Sequence, residues 1–474
     1  MALTKVQTIG IETGISLTGV TTVTTLNAST DTLSVGGTVN FGGNVSIAGT
    51  LTYEDVTNID AVGIITARSG VSVSSGDIVI GSATTLSQDN IFTTGIVTAT
   101  SLSVNGIDIG RGLAAVVTNT VVGNTALDAN TSGANNTAIG HAALTNNTEG
   151  NNNTAVGRNS AATLTTGDGN TALGAGSMNS QTTADNNTAV GYDSLYFTTT
   201  GANNAAFGKS ALQNNTTGSD NTAVGKGALD ANTTANNNTA VGNDALTTNT
   251  TGANNTALGE SALALNTTAS HNTGVGYGAC YANTTGTQNV AVGNDALGSN
   301  TTGLRNVAIG VGALQVGTTI QYNTAVGYAA LYANTAGNNS AFGYSALVSN
   351  TSGANNVAIG AEALESNVTG NDNTAVGRQS LEQNTGSNNT AVGRLALFQN
   401  TSGTHNVAVG KDAGRGTTTG QKNIVVGSEA FYTNTTGNQN VAIGYNALFA
   451  NTTGDGNVAI GDQALDANTT ADNN

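Results

Sequence analysis

The chain has 474 residues, 64 of them glycine, with no proline, no tryptophan, one cysteine and only 8% charged side chains. Twelve basic against 28 acidic residues leave a net charge of −16, which argues against a nucleic-acid partner. Glycine without a three-residue period and without proline excludes collagen; the single cysteine excludes a disulfide framework within one chain; and no apolar run reaches the ~18 residues of a membrane-spanning helix.

The N-terminus, Met1-Ala2-Leu3-Thr4-Lys5-Val6-Gln7, has no basic region followed by an apolar core, so no signal peptide is expected. Residues 1–118 show short-strand patterning without a fixed repeat. Residues 39–53 alternate apolar with small or polar side chains, Gly-Gly and Ala-Gly mark turns, and the alternation returns at 71–80 and 96–104. Strands with so little hydrophobic mass seldom form a stable core alone, so pairing between chains is expected. The run Gly49-Thr50-Leu51-Thr52-Tyr53-Glu54-Asp55-Val56, continuing through Ile64-Ile65-Thr66-Ala67-Arg68, resembles segments in structural and fibre proteins of marine cyanophages. That resemblance implies a virion fibre whose N-terminal part attaches to the particle and whose remainder forms the shaft.

From Asn119 onward the chain repeats Asn-Thr-Ala-Val-Gly-x-x-Ala-Leu-x-x-Asn-Thr-Thr-Gly-x-Asn with variations. Twenty-one copies fill residues 119–473, which makes residues 119–474 one shaft segment. The spacing is 17 in 18 of 20 intervals and 16 in the other two, where the lost residue falls near the Asn-Thr-Gly loop. Deletions confined to one place mark that place as a turn. With positions numbered from the first Asn, position 5 is always Gly, as at Gly123, Gly140, Gly157, Gly225, Gly310 and Gly461. Position 9 is Leu in 16 of 21 copies, among them Leu127, Leu144, Leu212 and Leu297, so this column is assigned to the core. Position 4 is apolar throughout, position 2 usually Thr or Val, and position 3 almost always Ala. Period-two patterning then gives one apolar strand face and one face of Ala and Gly.

A unit with four or five apolar side chains buries no core alone, but stacked on its neighbours it does, which is the logic of a solenoid. Recurrent Gly excludes helices of useful length. The fold class is therefore all-β: a strand-rich N-terminal segment, then a β-solenoid. Each coil is expected to hold two short strands, at positions 2–5 and 8–11. The turn glycine is expected to supply a positive φ. The uniform Ala/Gly face predicts close approach of another chain.

The blocks Asn306-Val307-Ala308-Ile309-Gly310 and Asn457-Val458-Ala459-Ile460-Gly461 resemble the Ser/Asn-Val-Ala-Ile-Gly motif of trimeric autotransporter adhesin heads. The resemblance implies a left-handed parallel β-roll with three chains side by side.

No catalytic, cofactor or metal residues are expected. Cys280 stands at position 9 and reads as a small buried hydrophobe, like Met178 and Phe431 in the same column. His141, His271 and His405 are many coils apart, too far to share a metal. The acidic residues read as spread mostly singly over outer positions, with no cluster departing from the pattern and so without the carboxylate pair that glycoside cleavage needs. The Asn-x-Thr triplets belong to the repeat and read as stacked ladders. Aromatics recur at positions 6 and 10, and Tyr277, Tyr281, Tyr328, Tyr332 and Tyr445 are candidate surface contacts. The expected function is a non-enzymatic fibre of a phage virion. Its expected partners are its own copies, other virion proteins bound through the N-terminal segment, and host surface glycans. A cell-surface trimeric adhesin or surface-array module is the alternative, and a polysaccharide-degrading tailspike is disfavoured. The array stops without a visible capping repeat, which leads to the expectation that the chain is truncated or that another protein covers its end.

Overall fold

The chain divides into two units, Met1–Phe92 and Thr93–Asn474. The computed structural model describes residues 101–104, 107–110 and 116–474, all within the second unit. The strand-like stretches at 39–53 and 71–80 and the segment at 49–70 lie outside the described residues.

The described part is all-β, a parallel solenoid of the 17-residue repeat. Each coil contributes one three-residue strand at positions 2–4, from β3 (Thr120–Val122) in the first coil to β23 (Val458–Ile460) in the last. Successive strands run parallel and in register: Thr137 lies beside Thr154, Ala138 beside Ala155 and Ile139 beside Val156. At about 4.8 Å per coil the stack is roughly 100 Å long. Ahead of it, β1 (Ser101–Val104) and β2 (Ile107–Gly110) form an antiparallel hairpin. β2 also pairs antiparallel with β3, Ile109 opposite Val122, so the hairpin occupies the first edge of the parallel sheet. Edge N–H and C=O groups that would otherwise be free are thereby paired.

Three expectations are corrected here. The first concerns positions 8–11, which are a turn and not a second strand. Leucine at position 9 sits in the left-handed region, with φ of 51° at Leu127 and 52° at Leu212. Coil-to-coil bonding continues through this turn all the same, Leu127 N–H donating to the Ala143 carbonyl at 2.9 Å. Left-handed backbone costs a non-glycine residue about 1–2 kcal/mol. Burying a leucine returns about 1.5–3 kcal/mol, so the column tolerates the strain.

The second correction inverts the strand. The Ala face does not meet another chain; it points into the coil and is fully buried, as at Ala138, Ala155 and Ala240. Gly274 shows what it packs on: a Cβ built there would lie 3.3 Å from Cγ of Leu263, in the preceding coil. The coil interior is thus so narrow that two alanines, at positions 3 and 8, and one Leu make up its apolar part. The larger residues at positions 2 and 4 face outward and are half-buried or exposed, as with Ile139, Leu258 and Ile309.

The third concerns the glycines. In the turn, the positive φ belongs to position 17, as at Asn135 (59°), and not to the glycine at position 15. Ala184, Ala235, Ala269 and Ile320 occupy position 15 and are buried, so glycine is not obligatory there. Position 5 is different. Gly123 has φ of 132°, and a Cβ there would lie 2.6 Å from the Gly140 carbonyl oxygen. Dihedral and space both demand glycine, and the close approach is between coils of one chain.

Two interior asparagine ladders lock the register. At position 1, Oδ1 of Asn136 accepts the Asn153 N–H at 2.9 Å, while its Nδ2 donates to the Gly150 carbonyl at 2.8 Å. At position 12, Asn249 Nδ2 donates to Asn232 Oδ1 at 3.1 Å and to the Gly252 carbonyl at 2.9 Å. Threonine at position 13 adds a third row, with Thr131 Oγ1 donating to the Thr148 carbonyl at 2.9 Å. Buried amides are stabilising only when their donors and acceptors are matched, and stacking identical coils matches them automatically.

Candidate functional site

The residues singled out as structural take the places their columns require. Leu127, Leu144, Leu212 and Leu297 are fully buried. At Gly123, Gly140, Gly157, Gly225 and Gly310 an added Cβ would collide with the carbonyl of the next glycine in the column. Gly461 stands in the last coil, and the nearest atom to a Cβ there is Ala464 Cβ at 4.0 Å. Cys280 is buried in the leucine column, and burial pushes its thiol up to about 12, so it stays protonated at neutral pH. The glycosylation-like triplets divide by position: Asn130 and Asn249, at position 12, are buried ladder members, whereas Asn135 and Asn254, at position 17, are exposed. His141, His271 and His405 are exposed in separate coils. Among the described residues no group of three or more His, Cys, Asp or Glu is arranged to hold a metal ion.

The flanks carry the chemistry. Tyr277, Tyr281, Tyr328, Tyr332 and Tyr445 are all exposed. Where neighbouring coils both place an aromatic in one row, the rings stack. Tyr328 and Tyr344 lie 5.5 Å apart at 11°, and Tyr432 and Phe449 5.3 Å apart at 8°. Arg415 extends the second stack, its guanidinium 5.5 Å from the Tyr432 ring and 5.8 Å from that of Phe398. Side chains in one row are held at the coil spacing, which suits planar groups face to face.

Contrary to expectation, the acidic residues include one cluster. Glu362, Glu365 and Glu382 gather on two adjacent coils, because positions 7 and 10 adjoin across the coil boundary. Burial first, then the Glu362 charge, holds the Glu365 carboxyl above its ordinary range. Burial and then Glu365 and Glu362 do the same to Glu382, against the lowering effects of Gln379 and Arg378. Arg378 approaches Glu362 at 3.8 Å.

One surface feature escaped the sequence reading: a notch of about 370 Å³ on coils 3 to 6. Its walls include Arg158, Tyr192, Asp193, Tyr196 and Phe197. Ala175 and Gly176, at positions 6 and 7 of the coil between Arg158 and Tyr192, leave the gap. The available signal was the pair Ala-Gly at positions usually filled by larger residues, followed one coil later by Tyr-Asp-Ser-Leu-Tyr-Phe.

No family model matches the chain, and neither a curated protein nor a solved structure matches it.

Proposed function

We propose that this chain is the shaft of a phage fibre, a non-enzymatic rod that associates side by side with two further copies and attaches to the particle through its N-terminal segment. The observation that carries the reading is the outer face of the parallel sheet. Position 4 is Val, Ile, Leu or Phe in every coil, and beside it at position 2 runs a row of Thr and Val with single Ile, Ala and Ser residues. Leu173, Phe207, Val224, Ile359 and Val409 in this row are all exposed. Two rows on a pleated strand, carried along the whole stack, make a strip on the order of 700 Å². Monomeric proteins seldom leave a continuous apolar patch beyond about 300–600 Å² uncovered.

The motif resemblance to trimeric adhesin heads supports three copies, and residues 49–70, with their resemblance to cyanophage fibre proteins, support the virion setting. Light scattering of the purified chain tests the association. Three chains of 46.7 kDa give 140 kDa, and a monodisperse species at the single-chain mass would overturn side-by-side assembly. Antibody labelling tests the setting: label on particles supports the virion reading, and label only on a cell envelope replaces it with a surface adhesin.

A further inference from the structure

We infer that the notch on coils 3 to 6 is a saccharide-binding subsite that takes one pyranose ring between Arg158 and Tyr192. The inference needs only one chain and does not rest on the assembly or the virion setting proposed above.

The row at position 6 reads Arg158, Ala175, Tyr192, Lys209 in four successive coils. Planar side chains in adjacent coils of this row stack directly, as Tyr328 and Tyr344 do at 5.5 Å. Arg158 and Tyr192 are two coils apart, so roughly 10 Å separates their rungs. Between them in this row stands only the methyl of Ala175, while Asp193 Oδ1 and the Tyr196 ring lie over Gly176 and bound the slot on that side. A ring inserted there lies about one coil spacing from each neighbour, the spacing at which this row already stacks.

The two faces of Tyr192 differ. Lys209 Nζ lies 5.9 Å from the ring centroid on the side of the following coil. The side towards Ala175 opens into the notch, and the residue is 54% exposed. Tyr196 and Phe197, an edge-to-face pair with centroids 4.7 Å apart, add apolar wall.

The remaining lining decides the ligand class. Asp193, Asn179 and Gln213 join Arg158 in offering planar polar groups. Such groups bond adjacent hydroxyls in pairs, while a tyrosine face packs on the C–H face of a sugar. A wholly apolar ligand would desolvate Arg158 and Asp193 without pairing them. A bare phosphate would leave the aromatic wall unused and would meet the Asp193 carboxylate. The volume lies at the lower end of ordinary small-molecule sites, about 300–1,000 Å³.

The test uses the full chain and a panel of methyl glycosides of neutral, N-acetylamino and uronic hexoses, with binding read by saturation-transfer NMR and titration calorimetry. Saturable binding of at least one glycoside is expected. Tyr192→Ala should weaken it by about tenfold, the scale of one stacking contact. Ala175→Tyr should abolish it, because the new ring occupies the slot, with the unfolding midpoint unchanged. Tyr445→Ala, far along the stack, should leave binding intact. No saturable binding by any glycoside, or binding indifferent to both Tyr192→Ala and Ala175→Tyr, would overturn the assignment.

Discussion

Gly414, the only rung of the leucine column that lacks a side chain, has Leu397 of the coil before it as its nearest apolar neighbour, 3.1 Å from where a Cβ would stand. By the repeat register it is followed by Val425, the largest side chain of the alanine column beyond the first coil. The stacking that puts Gly274 over Leu263 puts position 3 of each coil over position 9 of the coil before it. Apart from Val121, which opens the column, every other position 3 is Ala or Gly. Phe431, fully buried in the next rung, adds further volume where Gly414 supplies none.

A sign reversal follows. In the natural chain Val425→Ala should cost about 2 kcal/mol by opening a cavity. In a Gly414→Leu background the same change should be stabilising, because it removes the clash that the introduced side chain creates. A double-mutant cycle of denaturant midpoints checks this. Additive effects would show that the two positions do not share the space.

The leucine column also predicts an unusual intolerance. Its 21 residues include Leu, Met, Cys, Phe, Ala and Gly but no β-branched side chain. Left-handed backbone explains this, since branching at Cβ aggravates the clash with the following carbonyl. Leu212→Ile should therefore destabilise far more than Leu212→Met, although both conserve volume, where an ordinary core swap costs less than about 1.5 kcal/mol. Equal unfolding midpoints for the two variants would contradict the backbone explanation.

Two glycines of adjoining coils should respond to alanine to different degrees. At Gly225, φ of 135° and the Gly242 carbonyl both oppose a Cβ, and Gly225→Ala should cost on the order of 3 kcal/mol or more. At Gly218, position 15, a Cβ would also press on a carbonyl, that of Ala235. The backbone there is not left-handed, however, and five full-length coils already carry Ala or Ile at this position. Gly218→Ala should therefore cost clearly less than Gly225→Ala. Thermal unfolding of the two variants separates the cases directly.

Acidification should strengthen the coils around Glu365 and Glu382. Both carboxyls are held above the ordinary glutamate value of 4.5, so the folded chain binds their protons more tightly than the unfolded chain does. Their charged forms oppose folding at neutral pH, and that opposition is relieved as pH falls from neutrality through the folded values towards 4.5. Glu365→Gln should raise the unfolding midpoint at pH ~7 and flatten its rise on acidification. An unchanged pH profile would show that the three glutamates do not interact.

The repeat, its length, the leucine core and the asparagine ladders were legible because each is a residue type recurring at one position. Strand orientation was not. In most folds the larger side chains of a strand face inward, so Val122 and Ile139 read as core and Ala138 as the face for a neighbour. The coil is too thin for that rule, and Ala138 lies inside while Ile139 faces out. Left-handed leucine was equally hidden, because Leu127 carries none of the marks of such backbone that Asn135 does. The notch at Ala175 depends on side chains from four coils, and single-repeat patterning records only departures from the consensus.

The position 1 ladder has a bearing on heredity as well as on stability. Each coil offers its successor the same donors and acceptors, and even across the shortened coil Asn339 N–H still reaches Asn323 Oδ1 at 2.9 Å. Nothing in this ladder records a coil's ordinal number. Duplication or excision of one coding unit therefore changes reach in steps of about 4.8 Å and leaves this ladder unbroken. Length in this molecule is a countable trait, set by the number of coding units.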